Sequence, residues 1–165
     1  MSIKIIFLDI DGVLNHEQFY KERYEKKGSG DIDPKSVANL NSLIENTGAK
    51  VVISSTWRHS GIDYCRKSLE EVGFVGEIID ITPNLRGEGC LRGNEIHKWI
   101  KDNEELVGPY YQFTEYVILD DDSDMLYWQR NNFLLIDRFV GLTMGSVFQA
   151  TKILNGGKVL DFRTL

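Results

Sequence analysis

The chain has 165 residues and a net charge of −6, with 42% hydrophobic and 27% charged side chains. That length suits one domain whose core needs no disulfide or structural metal to fold. No apolar run approaches the roughly 18 residues of a membrane span, and the acidity argues against broad, sequence-independent binding to nucleic-acid phosphates.

The first element, IKIIFLD (Ile3–Asp9), reads as a buried strand from its continuous apolar run. The stretch after it, His16–Asp33, is polar and aromatic with KKGSG at its centre. It occupies the place where α/β proteins set ligand-contacting loops, and is expected to be either a small lid or a solvated insertion. Its Phe19, Tyr20 and Tyr24 either stack on a base or pack the insertion onto the body. A helix follows from Asp33, with Asp33 as cap, Pro34 in the first turn, Gly48 as terminator, and Val37, Leu40, Leu43 and Ile44 on one face. AKVVISS is a second buried strand. GIDYCRKSLEEVGF is a helix with Cys65, Leu69 and Val72 inward, and EIIDI a short third strand.

A loop rich in glycine and arginine, TPNLRGEGCLRG, leads to the predicted helix NEIHKWIKDN, with Ile96, Trp99 and Ile100 inward. EYVILDDD is a fourth strand, SDMLYWQRNN a predicted helix, FLLID a fifth strand, and TMGSVFQATKILNGG a last helix. The alternation predicts an α/β three-layer sandwich: a central parallel sheet of about five strands with helices on both faces. A single domain over residues 1–165 is expected, with the lid-like insertion at about 16–33. Cys65 and Cys90 form no C-x-x-C unit and are read as reduced, and the first residues do not resemble a signal peptide, so a cytoplasmic location is expected. His16, His59 and His97 show no metal-ligand spacing.

Two strands run into acids. Residues i and i+2 of a strand share a side, so Asp9 and Asp11 are expected to point to one spot, and the fourth strand ends in Asp120, Asp121 and Asp122 at the same carboxyl edge. Two like charges about 4 Å apart repel by roughly 4 kcal/mol at an effective dielectric near 20, so such a cluster needs raised pKa values or a cation. Oxygen-only ligands favour Mg2+ over zinc. Ser54 or Ser55 puts a hydroxyl at that edge, and Arg58 and Arg92 bring cations. Acids, metal, hydroxyl and guanidinium together suit a phosphoryl group. Trp57 either walls the pocket or sits in the core.

In LDIDGVLN, VVISSTWR, LRGNEI and VILDDDSD, taken in that order, the sequence resembles the haloacid dehalogenase (HAD) superfamily. The resemblance implies a Rossmann-like HAD core and a phosphatase. It makes Asp9 the nucleophile that forms an aspartyl-phosphate, and Asp11 the general acid and base. Ser54 is then the phosphate-binding hydroxyl, with Ser55 as substitute, and Arg92 the steadying cation, with Lys98 a weaker candidate. Asp120 and Asp121 hold Mg2+ with Asp9 and the backbone carbonyl of Asp11, with Asp121 favoured as the direct ligand. Asp124 is either a further acid of this site or a helix cap; Ser123 is expected to cap. SSTWR with RGNEI and LDDDSDM is similar to small stand-alone HAD domains related to RNA-repair enzymes and to the phosphatase halves of polynucleotide kinase–phosphatases. A nucleotide or nucleic-acid phosphate end is thereby a candidate substrate, with small-metabolite or sugar phosphates as the alternative. A phospho-accepting receiver-like domain is a further reading, but receivers carry their acid pair first and the phosphorylated Asp later. An inactive binding module on this fold is the last, and no signature position is missing.

Overall fold

The computed structural model describes residues 3–25, 31–85 and 89–156. The centre of the insertion and residues 86–88 of the glycine- and arginine-rich loop lie outside the described residues, as does Gly157 at the end of the last predicted helix.

Five parallel strands form one sheet in the order β3-β2-β1-β4-β5. They are β1 (Ile5–Leu8), β2 (Lys50–Ile53), β3 (Ile78–Ile81), β4 (Tyr116–Asp120) and β5 (Phe133–Leu135). β1 and β4 are buried throughout because both faces of the sheet are covered, which accounts for unbroken apolar runs where a one-sided sheet would alternate. Ile6, Leu8, Val51, Ile53, Val117 and Leu119 face one core with side chains of α2 (Pro34–Thr47), α3 (Ile62–Glu70) and α6 (Met144–Leu154). Ile5, Phe7, Val52 and Ile118 face a second core under α4 (Arg92–Asp102), where Phe7 meets Trp99 edge-on at 5.3 Å. The chain is therefore an α/β protein with a Rossmann-like parallel sheet flanked by helices.

α2 forms as its caps dictate: Asp33 accepts from the Lys35 amide at 3.0 Å, Pro34 opens the first turn, and Gly48 closes the helix at φ 68°. Two predicted elements differ. Residues Glu17–Glu25 of the insertion form a helix, α1, with no buried residue. Its first free amides, of Glu17 and Gln18, donate to the carbonyls of Arg138 and Phe139 at 3.1 and 3.0 Å. His16 anchors its start through a 2.9 Å contact with Asp33, so the histidine read as unremarkable is a buried tie between α1 and the α2 cap. Conversely, SDMLYWQRNN is no α-helix; only Tyr127–Gln129 forms a 3-10 turn. The buried Gln129 donates to the Gly93 carbonyl at 2.9 Å and accepts from the Leu126 amide at 2.8 Å, so its side chain ties this segment to α4. Ser123 consequently caps no helix. The short α5 (Glu104–Val107) follows α4.

Candidate active site

β1 has neighbours that return on opposite faces of the sheet, α2 and α3 on one and α4 on the other. The crevice at the carboxyl ends of β1 and β4 is thus the topological switch point of the sheet. In the register, Leu8 is level with Ile53 and with Leu119, so Asp9, Ser54 and Asp120 each lie one residue further along three adjacent strands. The Asp9 amide still donates to the Leu119 carbonyl at 2.9 Å, and the Ser54 amide to that of Leu8.

One carboxylate oxygen from each of Asp9, Asp120 and Asp121 lies within 4.8 Å of the others. Asp9 and Asp120 are buried, and Asp121 is half-buried. Burial pushes the Asp9 carboxyl up to about 6, against the pull of Arg92, the Ser55 hydroxyl and the Ile10 amide. Burial and then the charge of Asp9 push Asp120 up to about 8, although the Asp122 amide donates to it at 2.9 Å. Asp121 is also raised by burial, opposed by Arg138. Arg138 approaches Asp121 to 3.1 Å.

Gly12 lets this cluster close. Its φ of 79° favours glycine, and a Cβ there would collide with the Asp121 carboxylate. The same turn carries Asp11 elsewhere than expected. The strand ends at Leu8, Asp11 is exposed, and its carboxylate is not one of the three. The indole Nε1 of Trp57 donates to both Asp11 oxygens at 3.1 and 3.2 Å, and Asn15 Nδ2 donates at 2.8 Å. Trp57 is half-buried and belongs to the wall of the site as well as to the packing around it.

The two serines part company. The Ser55 hydroxyl interacts with Asp9 and accepts from the Trp57 amide at 3.3 Å, whereas Ser54 Oγ is buried with no hydrogen-bond partner. Arg92 opens α4 with Nε 3.7 Å from Asp120 Oδ2. Asp124 accepts from the Arg92 amide at 3.0 Å at the start of that helix, which makes it a cap, one of its two readings, but on a different helix.

Arg58, expected to reach a phosphate, is turned inward. It donates to the carbonyls of Ser54 and Ser55 at 3.0 and 2.9 Å and to Glu95 at 2.8 Å, and is 3% exposed. A guanidinium so engaged holds the turn after β2 in place of a ligand. Lys98, the weaker alternative to Arg92, is paired with Asp102 at 2.8 Å on the exposed side of α4. Glu95 was not singled out in the sequence, yet it ties Arg58, Arg92 at 3.7 Å and the Leu85 amide at 3.0 Å together while 1% exposed. Its signal was the i, i+3 spacing from Arg92 in the first turn of α4. Arg138 was also missed; it stands just beyond the carboxyl end of β5.

The donor set fits a hard divalent cation. It is all oxygen, and Asp120 Oδ2 is buried with no hydrogen-bond donor. Beside it, Arg92 Nη1 is buried with no acceptor within hydrogen-bond distance, an opening suited to an oxyanion.

No helix among the described residues is long and apolar enough to cross a membrane. Searches of curated proteins and of solved structures found no match to the chain. A family model described as the HAD domain in Swiss Army Knife RNA repair proteins matches residues 5–147. With the parallel sheet and its acid-bearing strand ends, that match over most of the chain places this protein in the family of HAD domains of Swiss Army Knife RNA repair proteins.

Proposed function

We infer that the protein is a Mg2+-dependent phosphomonoester hydrolase that works through an aspartyl-phosphate on Asp9, and that its substrate is a phosphorylated nucleic-acid end. The observation that carries the first part is the convergence of Asp9, Asp120 and Asp121 beside Arg92 at the switch point of the sheet. The family's RNA-repair context supports the second.

Asp9, Asp120 and Asp121 would hold Mg2+, which when bound neutralises charge on the transferring phosphoryl oxygens. Asp9 attacks phosphorus while Asp11 hands a proton to the leaving ester oxygen. Asp11, now a carboxylate, then takes a proton from the water that attacks the aspartyl-phosphate, which returns Asp9 and releases phosphate. Trp57 and Asn15 fix the Asp11 carboxylate for both transfers. Ser55 and Arg92 receive the phosphoryl oxygens, with Arg58 and Glu95 holding both in position. α1 follows the first strand of the site: burial and then the charge of Asp11 raise the pKa of Tyr20 on this helix, so the ring stands within electrostatic reach of the acid.

The test is release of inorganic phosphate from an aryl phosphate with and without Mg2+, then from 3′-phosphorylated oligonucleotides, mononucleotides and sugar phosphates. Asp9→Asn is expected to abolish turnover on all of them while the protein still folds. Mg2+-independent release, or turnover persisting in Asp9→Asn, overturns the mechanism. A preference for sugar phosphates overturns the substrate reading alone.

A further inference from the structure

Outside the active site, the flank of α4 opposite β5 carries a cavity of about 480 Å³. His97, Tyr110, Tyr111, Phe113 and Trp128 line it. Phe113 stacks on Tyr116 at 5.4 Å and 25°, but the other four rings meet edge to face: His97 and Tyr110 at 5.4 Å and 88°, His97 and Trp128 at 5.8 Å and 69°, Tyr110 and Tyr111 at 5.5 Å and 89°. Rings at such angles do not stack on one another, so they leave faces for a planar ligand. Trp128 is 60% exposed and Tyr111 71%.

The chemistry around the rings narrows the ligand. Among the described residues no carboxylate lines the cavity, although the chain carries a net charge of −6. On α4 and α5, Asp102 is engaged with Lys98 and Glu104 accepts from the Tyr110 amide. Two cations lie on rings at the rim, Lys101 over Tyr110 at 5.4 Å and Arg130 over the neighbouring Tyr127 at 4.1 Å. His97 makes ring contacts but no hydrogen bond among the described residues. Burial and Lys101 lower its pKa, so at pH 7 its neutral imidazole offers one donor and one acceptor. Unstacked aromatic faces, rim cations, an edge for hydrogen bonding and no acid describe a surface for bases joined by phosphates. A purely apolar partner would use neither the cations nor the imidazole.

We propose that this cavity stacks bases of a single-stranded nucleic acid. His97 is five residues beyond Arg92 on α4, about 7.5 Å along the helix axis. The stacking does not rest on the reading of the site as a phosphatase of nucleic-acid ends.

The experiment is fluorescence anisotropy with labelled decamers of oligouridylate and oligothymidylate that end in 3′-hydroxyls, titrated with wild type, Trp128→Ala and Tyr111→Ala at low salt. Aryl-phosphate hydrolysis is followed in parallel. Expected is binding of at least one decamer by wild type, weakened about tenfold or more by either variant, as loss of a stacked base predicts. Aryl-phosphate turnover stays as in wild type. Absence of binding to both decamers, or unchanged affinity in both variants, overturns the proposal. So does self-association of the free protein that Trp128→Ala abolishes with no effect on either oligonucleotide, which makes the face a protein interface. Loss of oligonucleotide binding in the variants of a protein that releases no phosphate upholds the cavity and removes the enzymatic reading instead.

Discussion

At the scale of single residues, the neighbouring serines divide the work that a sequence alone leaves open between them. Both follow an apolar strand and both are fully buried, so neither composition nor period separates them. What separates them is the backbone after Ile53: the chain turns into the 3-10 segment Thr56–Ser60, capped by Ser55, and this brings the Ser55 hydroxyl to Asp9. Ser55→Ala is accordingly expected to lower kcat/KM for an aryl phosphate by about 10²-fold, the usual cost of one lost donor to a developing oxyanion. Ser54→Ala, which removes an unpartnered hydroxyl, is expected to stay within a few-fold. Steady-state kinetics of the two variants decide this, and equal losses would put Ser54 at the phosphate as well. The acids of β1 and β4 were legible as positions because their residue type conflicts with their apolar surroundings. Arg58 stayed open between ligand and anchor for a related reason. A cation at a strand end looks available to a ligand, and only the fold shows Glu95 and two carbonyls taking it first.

At the scale of elements, α4 organises the site. Its first turn presents Arg92 to Asp120, is capped from outside by Asp124, and buries Glu95 between two guanidiniums. Glu95→Ala leaves those charges buried without their partner and is expected to destabilise the protein by about 3–5 kcal/mol. Equilibrium urea unfolding measures it, and a change under 1 kcal/mol would show that the network is not needed to hold the fold. The strands and α2 were readable because each carries its own signal: unbroken apolar runs, or Asp33, Pro34 and Gly48 at the ends of a helix. α1 was not, because it buries no side chain and its first amides are satisfied by carbonyls more than a hundred residues away, at Arg138 and Phe139. The predicted helix after β4 failed for the complementary reason. Gln129 and Asp124 find partners in α4 that a local helix would deny them.

At the scale of the whole molecule, the buried acids couple folding to pH and to the cation. The folded protein holds protons on Asp9 up to about 6 and on Asp120 up to about 8, whereas in the unfolded chain both leave near 3.8. Between those values the folded state binds more protons, so its stability is full below about pH 4 as far as these groups are concerned and falls as pH rises towards 8. Without divalent cations, the melting temperature is expected to fall between pH 5 and pH 8. Mg2+ should raise it more at pH 8 than at pH 5, because at pH 5 it must displace protons. Asp120→Asn should flatten both dependences. Calorimetry at the two pH values, with EDTA and with Mg2+, checks this; a melting temperature that rises with pH in EDTA would mean the acids are ionised without help. The sheet order carries one more implication. β1 is made before the other four strands but lies in the middle of the sheet, and its second neighbour, β4, leaves the ribosome more than a hundred residues later. Until then a greasy strand that ends in Asp9 has one side uncovered, a natural docking point for chaperones. No nascent fragment that stops short of β4 can bring Asp9, Asp120 and Asp121 together, so the acid cluster assembles only once β4 has emerged.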